Sequence, residues 1–169
     1  MITSRHVISI LVENHSGVLS RVSGLFSRRG YNIDSLSVGV TEDSRYSRIT
    51  IVSFGDDNII YQIHKQLEKL IDVLEVTELA PEDSVCRELA LIKVNADAGA
   101  RSEIVSIAEI FRANIIDVSH STLTVEMTGD QSKIEAFTQL LVPYGIKEIV
   151  RTGLTGIQRG AVTLYQAHE

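Results

Sequence analysis

Little in this chain is suited to covalent chemistry. Its one cysteine, Cys86, excludes an internal disulfide framework and fits a reducing cytosol. No partner His or Asp stands at a recognisable nucleophile spacing, so Cys86 reads as a small strand residue beside Arg87. His6, His15, His64, His120 and His168 fall on scattered strands, turns and helices, and no metal-ligand set is expected. There is no phosphate loop, paired-cysteine zinc spacing or nucleophile elbow. Positive charge is also short: 16 Lys and Arg against 22 Asp and Glu leave a net charge of −6, without an electrostatic footprint for nucleic acid or an anionic membrane. No apolar run approaches a membrane span. Met1-Ile2-Thr3-Ser4 leads directly into a strand pattern, so no signal or transit peptide is expected. What remains, at 169 residues and 44% apolar, is a soluble globular chain of one domain or two small ones.

The strands and helices are well punctuated. His6 to Val12 is an apolar, β-branched run of strand length. Val18, Leu19, Val22, Leu25 and Phe26 then recur at helical spacing, and Gly30 follows Arg28-Arg29 as a helix stop. Tyr31 to Val40 and Ser47 to Phe54 read as a hairpin around the polar turn Thr41 to Ser44. Gly55 to Asn58 supplies a turn and a cap for a second helix, whose expected buried stripe is Ile59, Ile60, Ile63, Leu67, Leu70 and Ile71. Val73 to Leu79 closes the unit. The order is βαββαβ.

Pro81, one of only two prolines, sits in the polar stretch Ala80 to Ser84, the best linker candidate. The same order then returns: strand Leu89 to Val94, helix Ser102 to Arg112, hairpin Ile115 to Val118 with Leu123 to Met127, helix Ser132 to Val142 stopped by Pro143, and strand Ile146 to Val150. A faint echo, Arg29 to Asp34 against Arg112 to Asp117, supports a repeat. The expected division is residues 1–80, a linker at 81–84, a second domain at 85–153 and a tail at 154–169. Right-handed crossovers make each unit a four-stranded antiparallel sheet, order 4-1-3-2, with both helices on one face, an α+β ferredoxin-like fold. The other sheet face and the strand-2 edge are expected to be exposed. Units this small are marginal alone, and strand 2 has no proline or lysine to blunt its edge, so at least a dimer is expected.

The chain is organised around Glu13-Asn14-His15-Ser16-Gly17-Val18-Leu19, where the first strand gives way to the first helix. Ser16 or Asn14 is a candidate N-cap, and Gly17 allows close backbone approach. Free N–H groups and the positive dipole end at a helix start favour a small anion such as a carboxylate. On these features alone the stretch reads first as a plain capped turn.

Residues Leu11 to Arg21 with Gly24 to Leu36 closely resemble the start of the small regulatory subunit of acetolactate synthase. The stretches Gln66 to Leu74, Arg87 to Val94, Phe111 to Val118, Ala136-Phe137, Arg151-Thr152-Gly153 and Arg159-Gly160 extend the resemblance over roughly residues 4 to 160. The resemblance implies an N-terminal ACT domain and a C-terminal ferredoxin-like domain, with no chemistry and no cofactor of their own. It implies a homodimer bound to a large catalytic subunit, a transferase that uses thiamine diphosphate, FAD and Mg²⁺. Within that cytoplasmic assembly of branched-chain amino-acid biosynthesis the small subunit raises activity and confers feedback inhibition by valine, with leucine or isoleucine as alternative effectors.

The effector would lie where the first loop of one protomer meets strand 2 of the other. Its carboxylate would meet the backbone N–H groups around Gly17 and Val18. Asn14 and Asn32, one of each from opposite protomers, would suit the zwitterion, and Ile33 with Val18 and Leu19 would line the branched side chain. Gln62 matches a position associated with feedback sensitivity in this family, although it also reads as a solvated helix residue. The competing functional reading is a stand-alone ACT-type amino-acid sensor acting on another protein or on transcription. No helix-turn-helix or basic stripe supports the transcriptional form.

Overall fold

The computed structural model describes residues 4–164, which divide between two compact units. Unit 1 comprises described residues 4–86 and 154–164, and unit 2 comprises Arg87–Gly153. The elements run β1 (Ser4–Glu13), α1 (Val18–Arg29), β2 (Ser35–Val40), β3 (Tyr46–Gly55), α2 (Asp57–Leu67), β4 (Val73–Glu78), β5 (Ser84–Asn95), α3 (Arg101–Ile110), β6 (Asn114–Val118), β7 (Thr122–Gly129), α4 (Gln131–Leu141), β8 (Ile146–Arg151) and β9 (Thr155–Gln158). A single 3-10 turn, Val142–Tyr144, holds Pro143 after α4.

The sheet of unit 1 is ordered β2-β3-β1-β4 and entirely antiparallel, the expected order. Strand alternation directs Ile8, Ile10 and Val12 of β1 and Ile49 and Ile51 of β3 to one face. Val22, Leu25 and Phe26 of α1 and Ile60, Ile63 and Leu67 of α2 close over them. Burying each such side chain is worth about 1.5–3 kcal/mol, so this layer is the main source of cohesion. Gly30 ends α1 in the left-handed region at φ 69°, its N–H bonding Ser27 and that of Tyr31 bonding Phe26. Asp56 caps α2 by accepting from the Ile59 N–H.

Three expectations are corrected here. Helix α2 ends at Leu67, and Ile71, placed on the buried stripe by its spacing, is 93% exposed in the turn before β4. Strand β2 starts at Ser35, because Tyr31 to Asp34 bond elsewhere: Ser53 Oγ donates to the Asn32 carbonyl and the Asp34 N–H to Val52. The sheet face away from the helices is not open either. Ser9, Leu11, Thr50 and Val52 are buried. Segment 154–164 returns to this unit, where Ser37 Oγ donates to the Leu154 carbonyl and the Leu154 N–H reaches Ser35 Oγ. Strand β9, which no sequence pattern announces, pairs with β5, and a Cβ on Gly156 would clash with Cys86 Sγ and the Val85 carbonyl. Only glycine allows that approach.

Unit 2 repeats the arrangement as β6-β7-β5-β8, with Ile104, Ala108, Ile134, Phe137 and Leu141 covering Ala90, Ile92, Val94, Leu123, Val125 and Met127. Phe111 and Phe137 pack in a tilted pair, 5.3 Å between centroids and 56° between planes.

Candidate functional site

At the end of β1 the Asn14 N–H bonds the Arg45 carbonyl, at 2.7 Å. The Asn14 amide donates to the Ser44 carbonyl (2.8 Å) and accepts from Ser47 Oγ (3.1 Å), fastening the β1–α1 loop to the β2–β3 turn. Neither Asn14 nor Ser16 is the N-cap. That position belongs to Gly17, in the left-handed region at φ 88°, with no side-chain cap. The helix therefore opens with its first N–H groups uncapped by any side chain. Val18 is buried in the core, whereas Leu19 is 40% exposed beside it.

Four charged groups surround this start. The Arg21 guanidinium lies over Gly17, with Nη1 3.1 Å from where a Cβ would stand, and its Nε donates to Asp72 Oδ2 at 2.5 Å. Asp72, in the turn before β4, is buried. His15 Nε2 lies 3.0 Å from Asp72 Oδ1 and 3.1 Å from Glu13 Oε2, while Nδ1 is 3.2 Å from the Ser16 carbonyl. The Arg21 hydrogen bond, with its charge and that of His15, holds the Asp72 carboxyl below the usual range. The Ser16 carbonyl, then Glu13 and the charge of Asp72, raise the His15 imidazole. Neither Arg21 nor Asp72 was among the expected site residues. Arg21 reads as the polar side of α1, and Asp72 has no local signal, since its partners are distant in sequence.

The other expected residues lie elsewhere. Asn32 donates to Asp34 Oδ1 at 2.5 Å, and Ile33 is half-buried against the core. Tyr31 donates its hydroxyl to Gln62 Oε1 at 3.2 Å, so Gln62 adjoins the Tyr31–Ile33 segment. Asn14 reaches Arg45, just ahead of β3, and Asn32 reaches Ser53 within it, about eight residues or roughly 25 Å along the chain. Within one chain, Asn14, Gly17, Val18 and Leu19 form one group and Asn32, Ile33 and Gln62 another. The two groups do not meet.

A cavity of about 300 Å³ opens on the opposite face of this unit, lined by Leu11, Tyr46, Arg48, Ile157, Val162 and Leu164 among others. Arg48 donates from Nε to Ser9 Oγ at 2.7 Å, and burial lowers its guanidinium's affinity for a proton.

Unit 2 fills its corresponding loop from within. Asp97 Oδ1 accepts from the N–H groups of Gly99 (3.0 Å) and Ala100 (2.8 Å), just ahead of α3. Arg101 Nη2 donates to the carbonyls of Ala96, Ser119 and His120. These two donors belong to the turn that precedes α3, whose N-cap Ala100, like Gly17 at α1, has no side-chain cap.

Residues 8–75 match the family described as an AHAS small subunit-like ACT domain, and residues 87–160 match that described as the small subunit of acetolactate synthase. The chain is 54% identical over 155 residues to the acetolactate synthase small subunit of Mycobacterium bovis, covering 92% of each. It is 53% identical to a probable small subunit of Archaeoglobus fulgidus, covering 92% of this chain and 98% of that one. The crystal structure of the small subunit from Thermotoga maritima superposes with a TM-score of 0.88 at 46% identity, covering 94% of this chain and 99% of that one. No helix among the described residues is long and apolar enough to cross a membrane.

Proposed function

Because the chain belongs to the family of acetolactate synthase small subunits, we propose that it regulates a thiamine-diphosphate-dependent large subunit by binding valine between two copies of its ACT domain. It supplies no catalytic group. It raises the activity of its partner and makes that activity sensitive to the pathway's end product.

One observation above all supports this reading: α1 begins at a left-handed glycine with its first N–H groups free of any side-chain cap, whereas the turn ahead of α3 is closed by Asp97 accepting from Gly99 and Ala100. Such free donors suit an amino-acid carboxylate. Val18 contributes its N–H, its side chain being committed to the core, and Leu19 offers apolar surface to the isopropyl group. Asn14 has one amide hydrogen beyond those it uses in holding the loop. Asn32, Ile33 and Gln62 complete the site only from a second copy, since in one chain they are some eight residues of strand away.

The edge that admits a second copy is β2, whose Val38 and Val40 are 49% and 59% exposed. Effector bound across such an edge stabilises the dimer it fits and shifts the population of active assemblies. Burial of the isopropyl group, worth about 1.5–3 kcal/mol, favours valine over alanine and separates it only weakly from leucine.

Isothermal titration of valine into the full-length chain tests the reading. The wild type should bind saturably, Gly17→Asp should abolish binding by occupying the donors and straining the loop, and Asn14→Ala should weaken it. Equal binding by all three would place the effector elsewhere. Absence of binding by the wild type, both alone and with its catalytic subunit, would remove valine as the effector.

A further inference from the structure

The His15 side chain faces a requirement that its neighbours do not meet. A carbonyl oxygen can only accept, so the contact from Nδ1 to the Ser16 carbonyl places a hydrogen on Nδ1. The other nitrogen, Nε2, then points its lone pair at two carboxylate oxygens, Asp72 Oδ1 at 3.0 Å and Glu13 Oε2 at 3.1 Å. Three electron-rich atoms facing one another need a cation among them. Either a proton on Nε2 or a metal ion supplies it.

We propose that Glu13, His15 and Asp72 form a divalent transition-metal site beside the start of α1. Their ligand atoms all lie within 4.8 Å of one another, the only such set of three among the described residues. One imidazole and two carboxylates suit Zn²⁺ or Co²⁺ and leave a fourth position for water. The surroundings match what metal ligands require. Ser16 fixes the imidazole tautomer from the far side, and Arg21 holds the other Asp72 oxygen. Asp72 comes from the turn before β4 and is buried, whereas Glu13 and His15 come from the strand end and loop, so an ion here ties the loop bearing Gly17 to the body of the unit. The site is independent of the effector reading and stands or falls on metal binding alone.

The test is titration of the full-length chain with Zn²⁺ near neutral pH, with Co²⁺ absorption as a second readout. One equivalent should bind in the micromolar range, and Co²⁺ should give a visible ligand-field band. His15→Ala, a change in an exposed loop, should weaken binding by at least about tenfold and erase the band, and Asp72→Asn should do the same. Circular dichroism confirms that each variant is folded. The proposal is overturned if the wild type takes up neither ion below millimolar concentration, if His15→Ala binds as the wild type does, or if binding survives that change and is lost instead in His64→Ala.

Discussion

The two units share a backbone plan down to its irregularities. Each has sheet order 2-3-1-4 in its own strand numbering. In each, the central strand shifts register against its last partner, between Leu11 and Val12 in β1 and between Lys93 and Val94 in β5. The last residues of these strands make equivalent bonds, Glu13 N–H to the Asp72 carbonyl and Asn95 N–H to the Gly145 carbonyl. The units differ in what satisfies the polar groups at the strand and helix ends. In unit 2 Asp97 closes the turn ahead of α3 and Arg101 ties it to the carbonyls of Ser119 and His120, whereas unit 1 starts α1 on a left-handed glycine and crowds charge beside it. The repeated fold is a scaffold, and the unequal ends are where function can differ.

The largest expected difference lies at the strand end opposite the loops. In unit 2, buried Glu88 accepts two hydrogen bonds from Arg151, at 2.7 and 2.8 Å. At the corresponding position of unit 1, His6 meets Glu78 at 2.6 Å, and Glu78 is 46% exposed. Glu88→Ala should cost about 2 kcal/mol, less than for a wholly buried pair because Arg151 is partly wet. His6→Ala should cost under about 1 kcal/mol. Denaturant unfolding of the two variants measures the contrast, and equal losses would show that burial does not separate the two pairs.

Next come the helix starts. Gly17→Ala forces a Cβ into the left-handed region and to 3.1 Å from the Arg21 guanidinium, an expected cost of about 1–2 kcal/mol. Asp97→Ala removes the carboxylate that precedes α3 and should cost about 1 kcal/mol. The two changes separate in titration: Gly17→Ala should weaken valine binding, and Asp97→Ala should leave it as in the wild type. If Asp97→Ala also weakens it, the effector does not reside at the first unit alone.

The repeat was legible because strand alternation, helical spacing and punctuation by Gly30, Asp56 and Pro143 are local signals. The echo between units was legible too, though one residue out of step. The left-handed position after α1 is Gly30, and its counterpart after α3 is Arg112 at φ 55°, which sets Asn32 opposite Asn114. A non-glycine at such a place is uncommon, so letter matching passed over it. Ile71 had the right spacing for the core, but α2 stops a turn earlier, and nothing local announces that end. Asp72, Arg21 and the returning segment at 154–164 depend on tertiary contacts, which no periodicity encodes. The stretch around Gly17 is legible in the sequence; its charge cluster is not.

The smallest expected effect is the pH dependence of that cluster, which has no counterpart built around Asp97. The Ser16 carbonyl, Glu13 and the charge of Asp72 raise the His15 imidazole. A raised value in the folded chain means that the protonated form is the one stabilised. Its contribution is complete below the ordinary imidazole value of about 6.5 and is lost as pH rises through the raised value. Asp72 has the opposite sign. Held down chiefly by Arg21, it contributes above the ordinary carboxylate range and loses that contribution as pH falls through its depressed value. The two overlap in mildly acidic solution, where the loop is most firmly held. With metal chelated, the stability difference between wild type and His15→Ala should be greatest near about pH 5 and fade towards about pH 9. The exposure of His15 and Glu13 keeps it small. NMR titration of the His15 ring should follow the same curve. A difference that stays flat across the range would leave the His15 contacts without a share in holding the loop, and with them this electrostatic distinction between the units.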